Sequence, residues 1–592
     1  MKGNISKHFK RAWKEYVCVG IIIVSMCLLL TYAFGLYNAD LSYPMNYGGG
    51  DEMSQLMISK MLTQQNWSLS TDRLGTPGSA EFYDFSANML HNVETIITKF
   101  FAMVTGSAPM ALNLTFLSMF IMSALISYFV MRELKIKNWI SVICSLAYGM
   151  TPYALMRNIH HQVLAECYFI PLSILICIWI YEREDILNFD KSFFKNPRNY
   201  LVFIFTILIA NNGIAYYPFF TCFLLVVTAI SKVAKTGKFK YAVKCIVTIA
   251  SICFFVVLAM LPGIVYHMKN GVNPLAVVRG GPGESEIYGL KIIQLLLPIN
   301  SHGNSLVDKI INGYNTSTEY LNENITSYIG VLSVIGFVIL MIVLFMRKNN
   351  QKMLRLGFLS EMNLMLILLG TIGGFSAIFS LLVSDMLRAY NRISIVICYV
   401  CLLAFAIVAD TFFDSRRMKK ANRYVSLGLA GLTVFVGLFA IWEGIPESSV
   451  PDYEAIKAAY DSDDEFVKRI EGSVPEGAKI FTLPYHEYPE GGDENAMEDY
   501  HLFIGFIHSD KLKWSYGCIK GRDGDDWYKT MASYKEPKMV EELKAAGFSG
   551  IYIDRRAYTE DDLTELESNL EAATGNTFIE SNNKNLSFIS FK

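Results

Sequence analysis

Residues 17–62 read VCVGIIIVSMCLLLTYAFGLYNADLSYPMNYGGGDEMSQLMISKML. The run 17–37 carries no charged residue, and a helix needs about 20 mostly apolar residues to cross the ~30 Å hydrocarbon layer. It follows Lys2, Lys7, Lys10, Arg11 and Lys14. No small-residue cleavage pattern precedes Tyr37, so the run is expected to stay as a span and not to leave as a signal peptide. Working outward, ten further apolar blocks lie at 108–131, 139–155, 163–181, 200–215, 218–230, 245–266, 328–346, 364–383, 393–409 and 425–442. The short fifth and sixth spans flank Asn211, Asn212, Gly213, Tyr217 and Pro218, the pattern of a broken pair lining a cavity. The chain is 52% hydrophobic and 18% charged, against roughly 25% charged for a soluble globular chain. Average Gly and Pro content and the absence of repeats exclude collagen, coiled coil and disorder. The expected fold is an α-helical polytopic membrane protein of about eleven spans, residues 1–442, followed by an extracytoplasmic α/β domain, 443–592.

Charge placement sets the expected orientation. Loops carrying the N-terminal lysines, Lys232 to Lys244, and Arg416, Arg417, Lys419, Lys420 and Arg423 hold, with their equivalents, 26 of the 52 basic residues; the longer alternate loops hold 10. Positive loops stay in the cytoplasm, so the N-terminus is expected inside and everything after Trp442 outside. The net charge of -2 hides this polarity: residues 444–592 have 16 basic and 30 acidic groups (-14), and the remainder 36 and 24 (+12). Ten of the 11 Cys lie in or beside spans and only Cys518 in the tail, so no outer disulfide framework is expected and the thiols read as packing groups.

Three outer segments are large enough for chemistry: 38–107, 267–327 and the tail. In the tail the spacing predicts a helix over 453–470, strands at 478–484 and 550–554, a helix at 539–546 stopped by Gly547, an acidic helix capped by Thr559, and closing strands at 577–580 and 586–591. The stretch 499–527 interleaves His501, His508, Trp514, Tyr516, Lys520, Arg522, Asp525 and Trp527. Apolar ring faces with flanking donors suit a sugar; a loop packing on the membrane part is the structural alternative.

The first loop places Asp51 and Glu52 after Gly48, Gly49 and Gly50. Asp51 reads as an N-cap with Glu52 in the first turn. Three glycines exceed what a cap needs, and they let another backbone or head group approach closely. Met53, Leu56, Met57 and Met61 give the next helix an apolar face suited to the membrane interface. Two carboxylates just above a bilayer can act as general base on a hydroxyl.

An acidic pair directly after the first span, a helix behind it, about eleven spans and an exported tail together resemble the GT-C superfamily of membrane glycosyltransferases, in particular its YfhO-like bacterial branch. The tail is similar to exported domains of bacterial proteins labelled sugar translocases. The resemblance implies that the first-loop acid is the catalytic base and that the donor is a sugar on a polyprenyl phosphate.

Other polar groups gather on the same side. RNIHHQVLAE supplies Arg157, His160, His161 and Glu166; RGGPGESEIYGLK supplies Arg279, Glu284, Glu286, Tyr288 and Lys291; Arg388, Asn391 and Arg392 fill a short loop between the ninth and tenth spans. Adjacent histidines diverge, so a divalent metal there would need further ligands such as Glu166; contact with a phosphate or sugar is the other reading. Arg279 before its Gly-Gly-Pro-Gly turn suits a phosphate clamp or a rim salt bridge with Glu284 or Glu286. Arg388 and Arg392, close to hydrocarbon, call for anionic partners, which lipid phosphates or a polyprenyl phosphate would supply. The YfhO-like resemblance includes a short arginine-bearing segment here.

The expected function is inverting transfer of a sugar from a polyprenyl-phosphate donor to a cell-envelope acceptor at the outer face of a bacterial cytoplasmic membrane. Asp51 and Glu52 are the expected catalytic carboxylates. Arg279, Arg388, Arg392, His160 and His161 would hold the donor phosphate, and Glu166, Tyr288, Trp514, Tyr516 and Arg522 would contact substrate. No Walker A or Rossmann glycine fingerprint is present, and no nucleic-acid partner is expected. Two rivals remain at this point: a transporter or flippase of lipid-linked sugars, which calls for ionisable groups at the bilayer midplane, and a non-catalytic envelope scaffold.

Overall fold

The computed structural model describes residues 2–84, 92–188, 191, 193–212, 215–347, 350–415, 418 and 422–592, with residues 2–12 as backbone only. Gly213 and the basic residues Arg416, Arg417, Lys419 and Lys420, used above, lie outside the described residues.

Nine described helices are long and apolar enough to cross a membrane: Trp13–Ala33, Ala108–Glu133, Asn138–Arg157, Ile159–Glu182, Tyr216–Thr236, Lys240–Ala259, Gln351–Gly370, Tyr390–Asp414 and Arg423–Glu443. Two shorter apolar helices, Pro197–Ala210 and Val331–Val343, stand at the other expected places. The chain is a polytopic helical membrane protein with a C-terminal domain containing a sheet.

Two helices form the centre of the bundle. Ile159–Glu182 is buried over its whole apolar window and Tyr390–Asp414 over most of it. Helices must approach closely where lipid supplies no hydrophobic drive, and small residues permit that. Gly336 of Val331–Val343 shows it: a Cβ there would lie 1.9 Å from the Cys401 carbonyl oxygen.

Span limits differ from the hydropathy reading in two places. The ninth span starts at Gln351 and stops at Gly370, with a separate short helix Phe375–Leu382 after the turn. Its early start contains Arg355 and Glu361, which pair with Glu182 (2.6 Å) and Lys235 (2.6 Å); charges neutralised by neighbours no longer bar a helix from the bundle. The seventh span ends at Ala259, and a second helix, Leu261–Asn270, carries Pro262 in its first turn.

The first-loop helix, Asp51–Gln64, does not lie in the interface. Its apolar residues Met53, Leu56, Met57 and Met61 are at most 2% exposed, and its polar face is buried as well. It is wedged between Ala108–Glu133 and the tail segments His501–Phe503 and Ile504–His508. The first-loop helix that does expose an apolar face is Val93–Thr105, through Ile96, Phe100, Met103 and Val104.

Strands β1 (Ser70–Thr71) and β2 (Ala80–Glu81) form a small hairpin in the first loop. The tail folds around β3 (Lys479–Leu483), β4 (Lys513–Trp514), β5 (Phe548–Asp554), β6 (Ile579–Glu580) and β7 (Leu586–Ser590), in the spatial order β4-β3-β5-β7-β6. β3 is parallel to β4 and β5, and β7 is antiparallel to β5 and β6. Helices Tyr453–Ser473, Glu536–Ala545 and Glu560–Thr574 stand where the spacing predicts them, and Thr559 caps the last by accepting from the Asp562 N–H.

The tail and the first loop are one packed unit. Residues 73–76 run along β4: Trp514 N–H donates to the Arg73 carbonyl (2.8 Å), and the Thr76 and Gly75 N–H groups donate to the Trp514 and Tyr516 carbonyls, both at 3.0 Å. The loop thereby covers a sheet edge that would otherwise expose unpaired backbone groups.

Candidate active site

Three chain segments converge at one end of the bundle: the start of Asp51–Gln64, the turns Ile159–His161 and Gln162–Ala165 that open the fourth span, and the turn Tyr390–Ile393 that opens the tenth. They form a small cleft lined by Asp51, Gln55, His160, His161, Gln162 and Arg392, with Val163 and Leu164 as an apolar wall.

Asp51 is not the cap of its helix. Gly50 takes that position at φ 77°, a left-handed conformation that favours glycine, and Asp51 begins the first turn. Its carboxylate is reached by solvent, yet it sits low in a cleft where protein replaces bulk water on most sides. That desolvation pushes its pKa up to about 6; Arg392 pulls the other way, while Glu490, Asp499 and Glu52 add to the rise. Among the described residues the Asp51 side chain has no hydrogen-bond or ion-pair partner.

Glu52 points away from solvent and is 2% exposed. It forms an ion pair with His160 Nδ1 and accepts from the Gly48 N–H at 3.1 Å; burial raises its pKa and His160 opposes the rise. The other ring nitrogen of His160 meets Asn46 Nδ2 at 2.7 Å. The acidic pair thus divides: Glu52 is held and Asp51 is left open.

Arg392 is held by a carboxylate absent from the sequence-based set. Glu323 grips it with both oxygens (3.0 and 2.7 Å) and also meets Arg157, itself 2% exposed, at 2.8 Å. Burial raises the Glu323 pKa, but the two guanidiniums outweigh that and hold it at about 2. Arg388 and Arg279 are engaged similarly, with Glu284 at 3.0 Å and Glu490 at 3.3 Å. Arg388 also stacks over Tyr288 at 5.1 Å. The expected partner of Arg279 was Glu284 or Glu286; the first serves Arg388, and the second accepts from the Gly373 N–H at 2.9 Å.

The three glycines admit the tail and not a separate molecule. Gly49 N–H donates to Glu498 (2.8 Å) and Gly50 N–H to the Asp499 carbonyl (2.6 Å). A Cβ on Gly49 would stand 2.2 Å from Glu498 Cβ and 2.9 Å from the Asp499 oxygen. Gly49→Ala is therefore expected to prise the tail from the first loop, lowering stability by about 1–3 kcal/mol. Faster amide hydrogen exchange over 46–50 and 486–501 would report it.

These segments belong to a known architecture. The structure of ArnT from Cupriavidus metallidurans bound to undecaprenyl phosphate superposes with a TM-score of 0.50 at 10% identity, over 97% of this chain and 98% of that one. The chain has the GT-C fold. Arabinofuranosyltransferase AftD from Mycobacteria is similar at TM-score 0.47 and 13% identity over 94% of this chain; the chain spans 37% of that protein's length. The Archaeoglobus fulgidus oligosaccharyltransferase, in complex with Zn and sulfate, gives 0.44 and 12% over 96% of this chain and 72% of that one. No profile of a known family matches the sequence, and no curated protein is significantly similar to it.

Within the GT-C fold, several expected contact residues are turned to other work. Trp514 and Tyr516 are fully buried, Trp514 against Gly505 and Tyr552, Tyr516 against Phe503; they have no ring face to offer a sugar. Arg522 binds Asp84 with two nitrogens, both at 2.7 Å, and the Asn270 and Gly271 carbonyls, so it ties the tail to the first loop and to the loop after the seventh span. Glu166 is fully buried, meeting the Glu94 carboxyl and the Tyr168 hydroxyl (3.3 Å), with Gln162 bonded to Glu94 at 2.5 Å. Burial raises the Glu94 pKa, and its hydrogen bonds to Glu166 and Gln162 oppose the rise. Among the described residues no group of three or more His, Cys, Asp and Glu is placed to hold a metal ion.

A larger cleft opens at the opposite, basic end of the bundle. Its principal charges neutralise one another, as in Lys352–Asp410 (2.9 Å) and Lys137–Asp410 (3.3 Å), so its buried carboxylate Asp410 is paired where Asp51 is open.

Proposed function

We propose that the chain is an inverting membrane glycosyltransferase of the YfhO-like GT-C branch. It moves a sugar from a polyprenyl-phosphate donor to a hydroxyl of a cell-envelope acceptor on the outer face of the cytoplasmic membrane, with the N-terminus inside and the tail, from residue 443, outside. The observation that carries this reading is Asp51: an open, desolvated carboxylate directly after the first span, in a cleft whose other charged wall is Arg392. The fold shared with a protein bound to undecaprenyl phosphate supports the donor class.

In this reading Asp51 takes the proton of the acceptor hydroxyl as its oxygen attacks the anomeric carbon. The bond from that carbon to the phosphate oxygen breaks, and its electron pair leaves with the polyprenyl phosphate. Phosphate is a good leaving group that needs positive charge more than a proton. Arg392 supplies that charge in the cleft, His160 and His161 offer hydrogen bonds to the phosphate, and Arg388 and Arg279, each paired with a glutamate, stand at the rim. Glu52 acts by fixing His160. Tyr288 braces Arg388.

A base with a pKa of about 6 is active when deprotonated. Transfer from a radiolabelled polyprenyl-phosphate sugar is therefore expected to fall roughly tenfold for each pH unit below about 6 and to level off above it. A flat rate from pH 5 to 7 would remove Asp51 from the role of base.

A further inference from the structure

The outer loop 267–327 contains one well-formed helix, Ser305–Asn315 (SLVDKIINGYN), and it buries none of its residues. Its sequence divides cleanly at 100° per residue: Leu306, Ile310, Tyr314, Val307 and Ile311 share one side, and Asp308, Lys309, Asn312 and Asn315 the other. Leu306 and Ile310 are 71% and 61% exposed. An isolated 11-residue helix is marginal in water; Val307, Ile311 and Tyr314 are half-buried, and the uncovered edge of the stripe at Leu306 and Ile310 calls for a partner.

The position of the helix names that partner. His302, three residues before its start, stacks on Trp442 at 4.1 Å and bonds the Glu443 carbonyl at 3.1 Å. Asn300 reaches the Ile445 carbonyl at 2.6 Å. These contacts fix the helix at the end of the eleventh span, where Trp442 stands at the level typical of the membrane–water boundary. Leu438 and Phe439, one turn deeper, are exposed and face lipid in a spanning helix. At the other end, Asn315 accepts from Gln294 Nε2 at 2.9 Å. The uncovered stripe therefore continues the lipid-facing surface of the last span.

We propose that Ser305–Asn315 is an interfacial helix, lying on the leaflet at the active-site side with Leu306 and Ile310 inserted among the acyl chains and Asp308, Lys309 and Asn312 toward water. Insertion of such a stripe scales with its apolar area. It tethers the 267–327 loop, which carries Arg279, Tyr288 and the Glu323 that holds Arg392, to the membrane surface. The inference does not depend on glycosyl transfer.

The test uses the full chain in nanodiscs of phosphatidylethanolamine and phosphatidylglycerol, with the exposed Cys27 and Cys253 replaced by serine. Nitroxide labels are placed singly through Leu306→Cys, Ile310→Cys and Asn312→Cys, and collision with lipid-soluble oxygen is compared with collision with a water-soluble nickel chelate. The expected oxygen-to-nickel ratio is several-fold higher at 306 and 310 than at 312. Equal ratios, as for a helix free in water, would overturn the proposal. So would labels at 306 and 310 shielded from both reagents, the result if a second copy or another protein covers the stripe. Melting temperatures equal to that of the unlabelled chain exclude misfolding as the cause of either result.

Discussion

Replacing Asp51 by asparagine is expected to lower sugar transfer by about 10²- to 10⁴-fold, the usual contribution of a positioned general base. The amide keeps the size of the side chain and removes its basicity. Binding of the donor should therefore change far less than turnover, since the phosphate is assigned to arginines and histidines that the substitution leaves in place. Stability gives an independent readout with a defined sign. The folded-state pKa of Asp51 is raised to about 6, so the native chain holds this proton more tightly than the unfolded one. Ionisation then costs stability as the pH rises from the ordinary carboxylate range through 6. Asp51→Asn should melt at or above the wild-type temperature at pH 7 and match it below pH 4. Wild-type transfer by this variant in membranes supplied with radiolabelled lipid-linked sugar would end the assignment of Asp51 as base. A folded variant that transfers at a small fraction of the rate would support it.

The largest loss of stability is expected from Glu323→Ala. Glu323 is the shared anion of Arg157 and Arg392, which lie deep beside the cleft, with side chains 2% and 13% exposed. Removing it leaves two guanidiniums desolvated and unpaired, and breaking such a buried ion pair costs about 3–5 kcal/mol. The pH dependence has the opposite sign from that of Asp51. The folded pKa is depressed to about 2, so the stabilisation is fully present above the ordinary glutamate range and is lost as pH falls from there toward 2. Glu323→Gln, which can still accept hydrogen bonds, should lose less than Glu323→Ala. Thermal unfolding in detergent at pH 7 and at pH 4 separates the cases: the difference between wild type and Glu323→Ala should shrink at the lower pH. Equal melting temperatures at both pH values would mean that the two arginines do not depend on this carboxylate.

Much of the molecule is legible in its residues because the bilayer imposes a simple rule. Backbone polar groups in hydrocarbon must bond within the segment, so a long uncharged run such as 17–37 has few alternatives to a helix. The tail was nearly as readable, since Thr559, Gly547 and the apolar spacing of GIYID mark local starts and stops that neighbours did not override. The ninth span was misplaced for a reason that lies outside the segment. Arg355 and Glu361 look too costly for a bundle until Glu182 and Lys235, more than 100 positions away, neutralise them.

The site was legible only in part, and the division follows the range of the forces involved. Asp51 and the clusters around His160 and Arg392 stand out because polar residues beside spans are few. Their grouping in one cleft is a matter of helix packing, as is the separation of Asp51 from Glu52, adjacent in sequence and opposite in environment. Trp514, Tyr516 and Arg522 satisfied a compositional pattern for sugar binding, yet the sheet edge formed with residues 73–76 and the ion pair to Asp84 claimed them. Glu323 sits in LNENIT, which carries no motif, and only the approach of two distant guanidiniums gives it importance. What the sequence alone determined is the set of membrane helices, the charge polarity and the acidic pair after the first span, all consequences of short-range solvation. Which carboxylate is open, which is spent on an arginine and which glycine admits the tail were decided by tertiary contacts, because desolvation and pairing depend on atoms brought together from remote parts of the chain.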